Sequence, residues 1–173
     1  MPRTMPNYFE YYGLPVHPNV DQAALKRTFY ANSKRFHPDF HTLSDDEAQN
    51  EALEQSTLNN QGYKTLSDDD MRLKHFLEVH GVLGEEGQNS VPQDFLMEIM
   101  EVNEALMELE FEDDPLVRQK VTGLIDQLAH DLEADVADVL ENYDPASPAP
   151  DALDRLKDYY LKRRYLLRLR QKI

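Results

Sequence analysis

The sequence predicts an all-α fold, and three observations carry that prediction. Apolar residues recur at helical spacing in several long segments, no segment alternates as a strand does, and the proline- and glycine-rich stretches fall between the periodic segments. No internal repeat or low-complexity segment interrupts the pattern. With 173 residues, the chain can bury one good core or two small ones that share an interface.

The first long helix is predicted from Asp21 to Phe36. It spaces Leu25, Phe29 and Phe36 for one apolar side and leaves Lys26, Arg27 and Lys34 on other faces. Pro38 cannot continue that helix and pushes His37 out of the αR region. His37-Pro38-Asp39 is therefore predicted as a loop at the tip of a helical hairpin. The second helix is predicted from Ser44 to Leu66, opened by a capping box of Ser44 and Glu47. Gly62 within it is unexpected, because glycine costs about 1 kcal/mol relative to alanine in a helix. Close approach of another helix is one reason for its presence.

Residues 81–91 read as a linker, with Gly81, Gly84 and Gly87 breaking any helix. Pro92 then falls near the first turn of the next helix, where proline is tolerated. That helix is predicted to reach Phe111 and to be interrupted by Asp113-Asp114-Pro115. Another follows from Leu116 to Leu140, with Val117, Val121, Leu124, Leu128 and Leu132 on one face. Asp144 to Pro150 carries three prolines and is predicted as a loop, and a last helix runs from Asp151 to Lys172. The predicted organisation is a small helical domain over 1–80, the linker, and an antiparallel three-helix bundle over 92–173.

Charge is uneven along the chain. Lys and Arg against Asp and Glu give 8 − 12 = −4 for residues 1–80, 2 − 18 = −16 for 81–150, and 8 − 3 = +5 for 151–173. The acidic middle argues against nucleic acid as a partner, since a phosphate backbone demands Lys and Arg. A basic last helix packed beside acidic ones would let charge select the helix order of the bundle. The absence of cysteine excludes disulfides and any thiolate-ligated zinc or iron–sulfur cluster held by this chain alone. No signal peptide and no run of about 18 apolar residues is present, and six residues before Asn7 leave little room for a targeting sequence. The expectation is a soluble, cytoplasmic protein that spans no membrane.

A basic helix followed by His37-Pro38-Asp39 at a loop tip resembles the J-domain, which stimulates ATP hydrolysis by DnaK-type chaperones. Tyr8-Phe9 and Gly13-Leu14-Pro15 lie where a J-domain has its short first helix. Downstream come Asn60-Gln61, Tyr63, Thr65-Leu66, Met71-Arg72, Phe76-Leu77 and His80-Gly81. That ordered set resembles the HscB family, J-proteins dedicated to iron–sulfur cluster assembly. The likeness runs from about Asn7 to the C-terminus and is densest in the first eighty residues. It implies a J-domain leading into a three-helix bundle in an L-shaped molecule, with Tyr8, Phe9, Tyr12, Leu58, Tyr63 and Leu66 in the J-domain core.

The resemblance implies that Lys26, Arg27, Lys34 and Arg35 dock on an acidic surface of an HscA- or DnaK-type ATPase. His37, Pro38 and Asp39 would then bias that chaperone toward its hydrolysing, substrate-trapping state. Phe40 departs from the basic residue that many J-domains carry directly after the motif.

In the helix from Pro92 to Phe111, the residues Phe95, Ile99, Val102, Leu106 and Leu109 form a heptad-like stripe. Leu96, Met100 and Met107 form a second stripe roughly 120° away at about 100° per residue, with Met97 beyond it and Glu101 and Glu104 at its flank. A bundle helix with two neighbours needs such a wide apolar arc. A methionine-rich, glutamate-flanked face is also what a helix-face binding site presents. By resemblance to HscB proteins, Leu96, Met97 and Met100 are apolar anchors and Glu101 and Glu104 polar contacts for the scaffold protein IscU. On the last helix the match falls on Tyr160, with Tyr159 as the alternative, and Met107 is read as core.

Two other readings stay open. One is a general J-protein with a different client. The other is a metal-dependent enzyme using His37, Asp39 and His41, whose H-x-D-x-H alternation suits an extended ligating segment. Against the enzyme stand a missing phosphate-cradling glycine loop, a missing nucleophile motif and no second ligand cluster. His75 and His80 are read as helix-end or core-edge residues. The expectation is a co-chaperone with no catalytic residues, no bound metal and no cofactor.

Overall fold

The computed structural model describes residues 5–85 and 89–173, and Gly87 of the predicted linker lies outside them. Among the described residues every regular element is helical. The order is α1 (Tyr8–Tyr11), α2 (Gln22–Phe36), a 3-10 turn (Pro38–Phe40), α3 (Asp46–Ser67), α4 (Asp69–Val79), α5 (Gln93–Glu98), α6 (Met100–Phe111), α7 (Pro115–Asn142) and α8 (Ala152–Arg170). Two units emerge. One runs to Val79 and includes Asp144–Ser147; the other comprises His80–Tyr143 and Pro148–Ile173.

In the first unit, α1 is a single turn held at both ends. Asn7 accepts from the Glu10 N–H, while Gly13 N–H bonds Glu10 O at 3.0 Å and Leu14 N–H bonds Phe9 O at 2.8 Å. That closure needs a left-handed residue, and Gly13 supplies it with φ +65°. α1 lies directly against α3 at Gly62. A Cβ there would stand 2.8 Å from Tyr12 Cε2 and 3.1 Å from Tyr8 Cδ1, so the glycine is kept for close approach.

The capping of α3 differs from the predicted box by one residue. The Asp45 carboxylate accepts from Ala48 N–H at 2.8 Å, and the Ser44 carbonyl is taken by Gln49 Nε2 at 2.9 Å. A carboxylate at that position also complements the positive end of the helix dipole.

Three buried polar side chains tie this unit together. Asn59, only 1% exposed, donates to Phe29 O and Ser33 Oγ on α2 and accepts from the Tyr12 hydroxyl at 2.7 Å. Arg72 donates to the carbonyls of Pro18 and Leu66 and pairs with Asp69 at 2.6 Å. His75 lies 4% exposed, stacked on the Phe9 ring at 5.3 Å, and is core rather than core-edge. Phe9, Tyr12 and Leu66 are buried as expected, whereas Tyr8, Leu58 and Tyr63 are half-buried, Tyr63 stacking on Phe29 at 4.1 Å.

In the second unit, Phe95, Ile99, Val102 and Leu106 bury against Val121 and Ile125 of α7 and Leu166 and Leu169 of α8. Val117, Leu124, Leu128 and Leu132 pack against that core half-buried. Ion pairs Asp126–Arg170 (2.7 Å), Glu133–Arg163 (3.0 Å) and Asp138–Arg155 (2.9 Å) step down α7 as they step up α8. The two helices are therefore antiparallel, with the basic last helix against the acidic one before it. The predicted single helix from Pro92 to Phe111 is two. Pro92 is an N-cap, and Ile99 interrupts with φ −90° and ψ 4° as its wholly buried side chain turns into the core. Bonds from Ile99 N–H to Phe95 O and from Asn103 N–H to Ile99 O carry the helical register across the break.

Candidate functional site

The first candidate site grows from the C-terminal end of α2. Helical spacing sets Lys26, Arg27, Lys34 and Arg35 on exposed positions of α2. Lys26 Nζ sits 6.0 Å from the Tyr30 ring centre and the Arg35 guanidinium 5.1 Å from that of Phe36, so aromatic faces steady two of the cations. The helix stops at Phe36 because the next residue precedes proline. His37 is extended at φ −61° and ψ 130°, as the steric demand of Pro38 requires.

Pro38-Asp39-Phe40 then closes a 3-10 turn, with Phe40 N–H on His37 O and His41 N–H on Pro38 O, each at 3.0 Å. The turn is folded back on itself by side chains. Asp39 N–H donates to His37 Nδ1 at 3.2 Å, which requires an unprotonated Nδ1 and so leaves the ring proton of the neutral imidazole on Nε2. The 3.6 Å separation of His37 Nδ1 from the Asp39 carboxylate is too long to be the stronger contact. His41 Nε2 lies 3.0 Å from Arg35 O, fastening the far side of the turn to the helix end. Phe40 stands edge-on to the His37 ring at 6.1 Å and is 68% exposed. All three motif residues are exposed, so the turn displays an imidazole and a carboxylate to a partner.

The H-x-D-x-H spacing does not converge on a common point, since His41 turns to Arg35 and His37 to the Asp39 amide. Among the described residues no group of three His, Cys, Asp or Glu side chains is placed to hold a metal ion.

The second candidate site is the outer face of α5 and α6. Leu96, Met97 and Met100 are 38%, 67% and 55% exposed, and Glu101 and Glu104 are exposed beside them. Glu101 pairs with Lys120 of α7 at 3.4 Å. Tyr160 is buried, its hydroxyl accepting from Arg164 Nη1 at 3.4 Å, and Tyr159 is buried as well. What α8 presents near Leu96 is different: Leu161, Arg164, Tyr165 and Arg168 line a cavity of about 460 Å³ together with Leu96 and Val91. Met107, read as core, is 59% exposed, because α6 spends its buried stripe on Val102, Ala105 and Leu106 and leaves Met107 outside it.

Asn59, Arg72 and His75 escaped the sequence reading as anchors of the first unit. A signal existed for Asn59, which lies four residues before Tyr63 and seven before Leu66, on the same helical face.

A hairpin with an exposed His-Pro-Asp turn, followed in sequence by a helical bundle, defines a J-domain protein with a C-terminal helical domain. Comparison with known proteins agrees. The family model for the HSCB C-terminal oligomerisation domain matches residues 91–173. A co-chaperone HscB homologue of Pseudoalteromonas atlantica is 30% identical over 171 residues, covering 96% of this chain and 94% of that protein. One from Vibrio cholerae is 37% identical over 101 residues, covering 58% of this chain and 59% of that relative's length. The structure of chaperone HscB from Vibrio cholerae superposes with a TM-score of 0.74 at 25% identity, covering 95% of this chain and 94% of that one. Human co-chaperone HscB shares the fold at the same TM-score and 24% identity, covering 99% of this chain and 82% of its own. The chain belongs to the HscB co-chaperone family.

Proposed function

We propose that this protein is a cytoplasmic co-chaperone of iron–sulfur cluster assembly with no catalytic activity of its own. Residues 1–80 act as the J-domain: Lys26, Arg27, Lys34 and Arg35 attract the ATPase domain of an HscA- or DnaK-type chaperone, and His37, Pro38 and Asp39 stimulate hydrolysis. Residues 92–173 bind the scaffold IscU through Leu96, Met97, Met100, Glu101 and Glu104, with residues 81–91 between the two. On α8 the resemblance adds Tyr160, with Tyr159 as the alternative; both are buried, and the Tyr160 hydroxyl accepts from Arg164.

The observation that carries this reading is a pair of exposed surfaces of opposite chemistry, a cationic helix ending in a polar turn and an apolar face edged with carboxylates. No helix among the described residues is long and apolar enough to cross a membrane. Bringing ATPase and scaffold together is the chemistry such a molecule can perform.

The test is steady-state ATPase of the organism's DnaK-type chaperones with this protein and IscU, added separately and together. Synergistic stimulation lost in His37→Gln but retaining IscU binding supports the reading, as does Leu96→Ala/Met100→Ala losing IscU binding with basal stimulation kept. Stimulation indifferent to IscU assigns a different client. No stimulation of any chaperone overturns the J-domain role.

A further inference from the structure

The apolar face of α5 and α6 does not end at Met100. Counting about 100° per residue from Leu96, Met107 and Phe111 fall with Met100 inside an arc of about 60°. The backbone bonds through Ile99 keep this register intact across the helix break. Met107 is 59% exposed and Phe111 89% exposed, values far above those of the inward stripe at 0–8%. From Leu96 to Phe111 the stripe spans sixteen residues, or about 22 Å along the axis. An exposed apolar stripe of this length on one helix face marks an interaction site.

Its borders say what it fits. Glu104 and Glu108 line one edge and Glu110 the other, all exposed, and none of the three forms an ion pair among the described residues. A second copy laid face to face would bring these carboxylates against one another, which disfavours self-pairing.

We propose that the scaffold-binding surface runs the whole length of α5 and α6 to Phe111. Its occupant is a segment of the partner carrying an apolar stripe edged by Lys or Arg. The proposal rests on the reading of Leu96 to Glu104 as scaffold contacts and lengthens that contact by about two helical turns. Methionines suit such a face because they repack around a partner, while the terminal phenylalanine supplies a rigid anchor.

The experiment is calorimetric titration of IscU into the full chain, at low and raised salt, with two double variants. Met107→Ser/Phe111→Ser changes only exposed positions and should fold normally, which circular dichroism checks. The expected result is an affinity loss of about tenfold in each double variant. Charge complementarity should appear as weaker binding at raised salt, a dependence reduced in Glu104→Gln/Glu108→Gln/Glu110→Gln. Loss in Leu96→Ala/Met100→Ala alone overturns the extension and leaves the shorter site standing. Loss in neither variant overturns the scaffold-binding reading and the extension with it. Salt-independent binding overturns the basic partner segment. Sedimentation showing a dimer that Phe111→Ser dissociates makes a second copy the occupant and overturns the proposal.

Discussion

The backbone N–H of Tyr8 donates to Nε2 of His75 at 3.1 Å, across 67 positions of sequence. One hydrogen bond thereby satisfies an orphan donor at the start of α1 and fixes which imidazole nitrogen is unprotonated. Burial holds the His75 pKa below its ordinary value, and His80 is shifted the same way by the same cause. The rings of Tyr8 and Phe9 pack beside the imidazole, so a proton there would be both desolvated and in the way of the Tyr8 amide.

The expected pH dependence follows from that direction. Below the unfolded-state pKa of about 6.5 the unfolded chain takes up protons that the folded imidazoles resist. Through His75, stability of the first unit is therefore full above that pH and falls as the solution is acidified. Urea unfolding at pH 7 and pH 5.5 should show a lower midpoint at the acid value. His75→Phe should flatten part of the slope while lowering stability at both values, because Tyr8 N–H loses its acceptor.

Gly62→Ala should destabilise the protein although alanine is the better helix former. The propensity gain is about 1 kcal/mol, but the added methyl meets Tyr12 at 2.8 Å. That ring cannot yield, since its hydroxyl is bonded to both the carbonyl and the side chain of Asn59 at 2.7 Å. A net loss of about 1–2 kcal/mol is expected by chemical denaturation, as for an overpacked core. An unchanged or raised midpoint would mean that α1 can lift from α3 at little cost.

Arg72→Leu should cost about 2–3 kcal/mol, more than an exposed ion pair ever contributes. The guanidinium is 5% exposed and is the donor for Pro18 O, whereas Leu66 O keeps the Gln22 amide at 3.1 Å as a second donor. The loss should be confined to the first unit: under the proposed function, chaperone stimulation should fall at elevated temperature while scaffold affinity stays unchanged.

Neighbouring residues on α7 separate packing from charge. Ile125 is 2% exposed in the bundle core, and Asp126 pairs with Arg170 at 2.7 Å with both side chains about half exposed. Ile125→Ala should cost about 2–5 kcal/mol. Asp126→Ala should cost about 0.2–1 kcal/mol and lose even that at high salt. Comparable losses in the two variants would show that the α7–α8 ladder, and not the apolar core, dominates the bundle.

Much of the fold was legible in the sequence, and the reasons are local. Pro38 dictates the turn through its own ring, and the stripes of the bundle helices announce their faces by period alone. The His37-Pro38-Asp39 turn and its cationic approach were legible for the same reason. What was hidden depends on neighbours. A helix with two apolar stripes does not say which one finds a partner inside the chain, so Met107 looked like core and is exposed. His75 looked peripheral because the rings that enclose it come from Tyr8 and Phe9. Tyr160, expected from the resemblance to be a contact, is buried, and only packing reveals that.

Asn59 has a consequence for how the exposed turn is aimed. Hydrophobic contacts between α2 and α3 would tolerate sliding by a fraction of a turn, but an amide wedged between Phe29 O, Ser33 Oγ and the Tyr12 hydroxyl accepts one alignment only. The hairpin thus behaves as a sighted instrument whose alignment screw sits two turns back from its muzzle. His37 can stand about half exposed to solvent and still be delivered to the same place on every encounter.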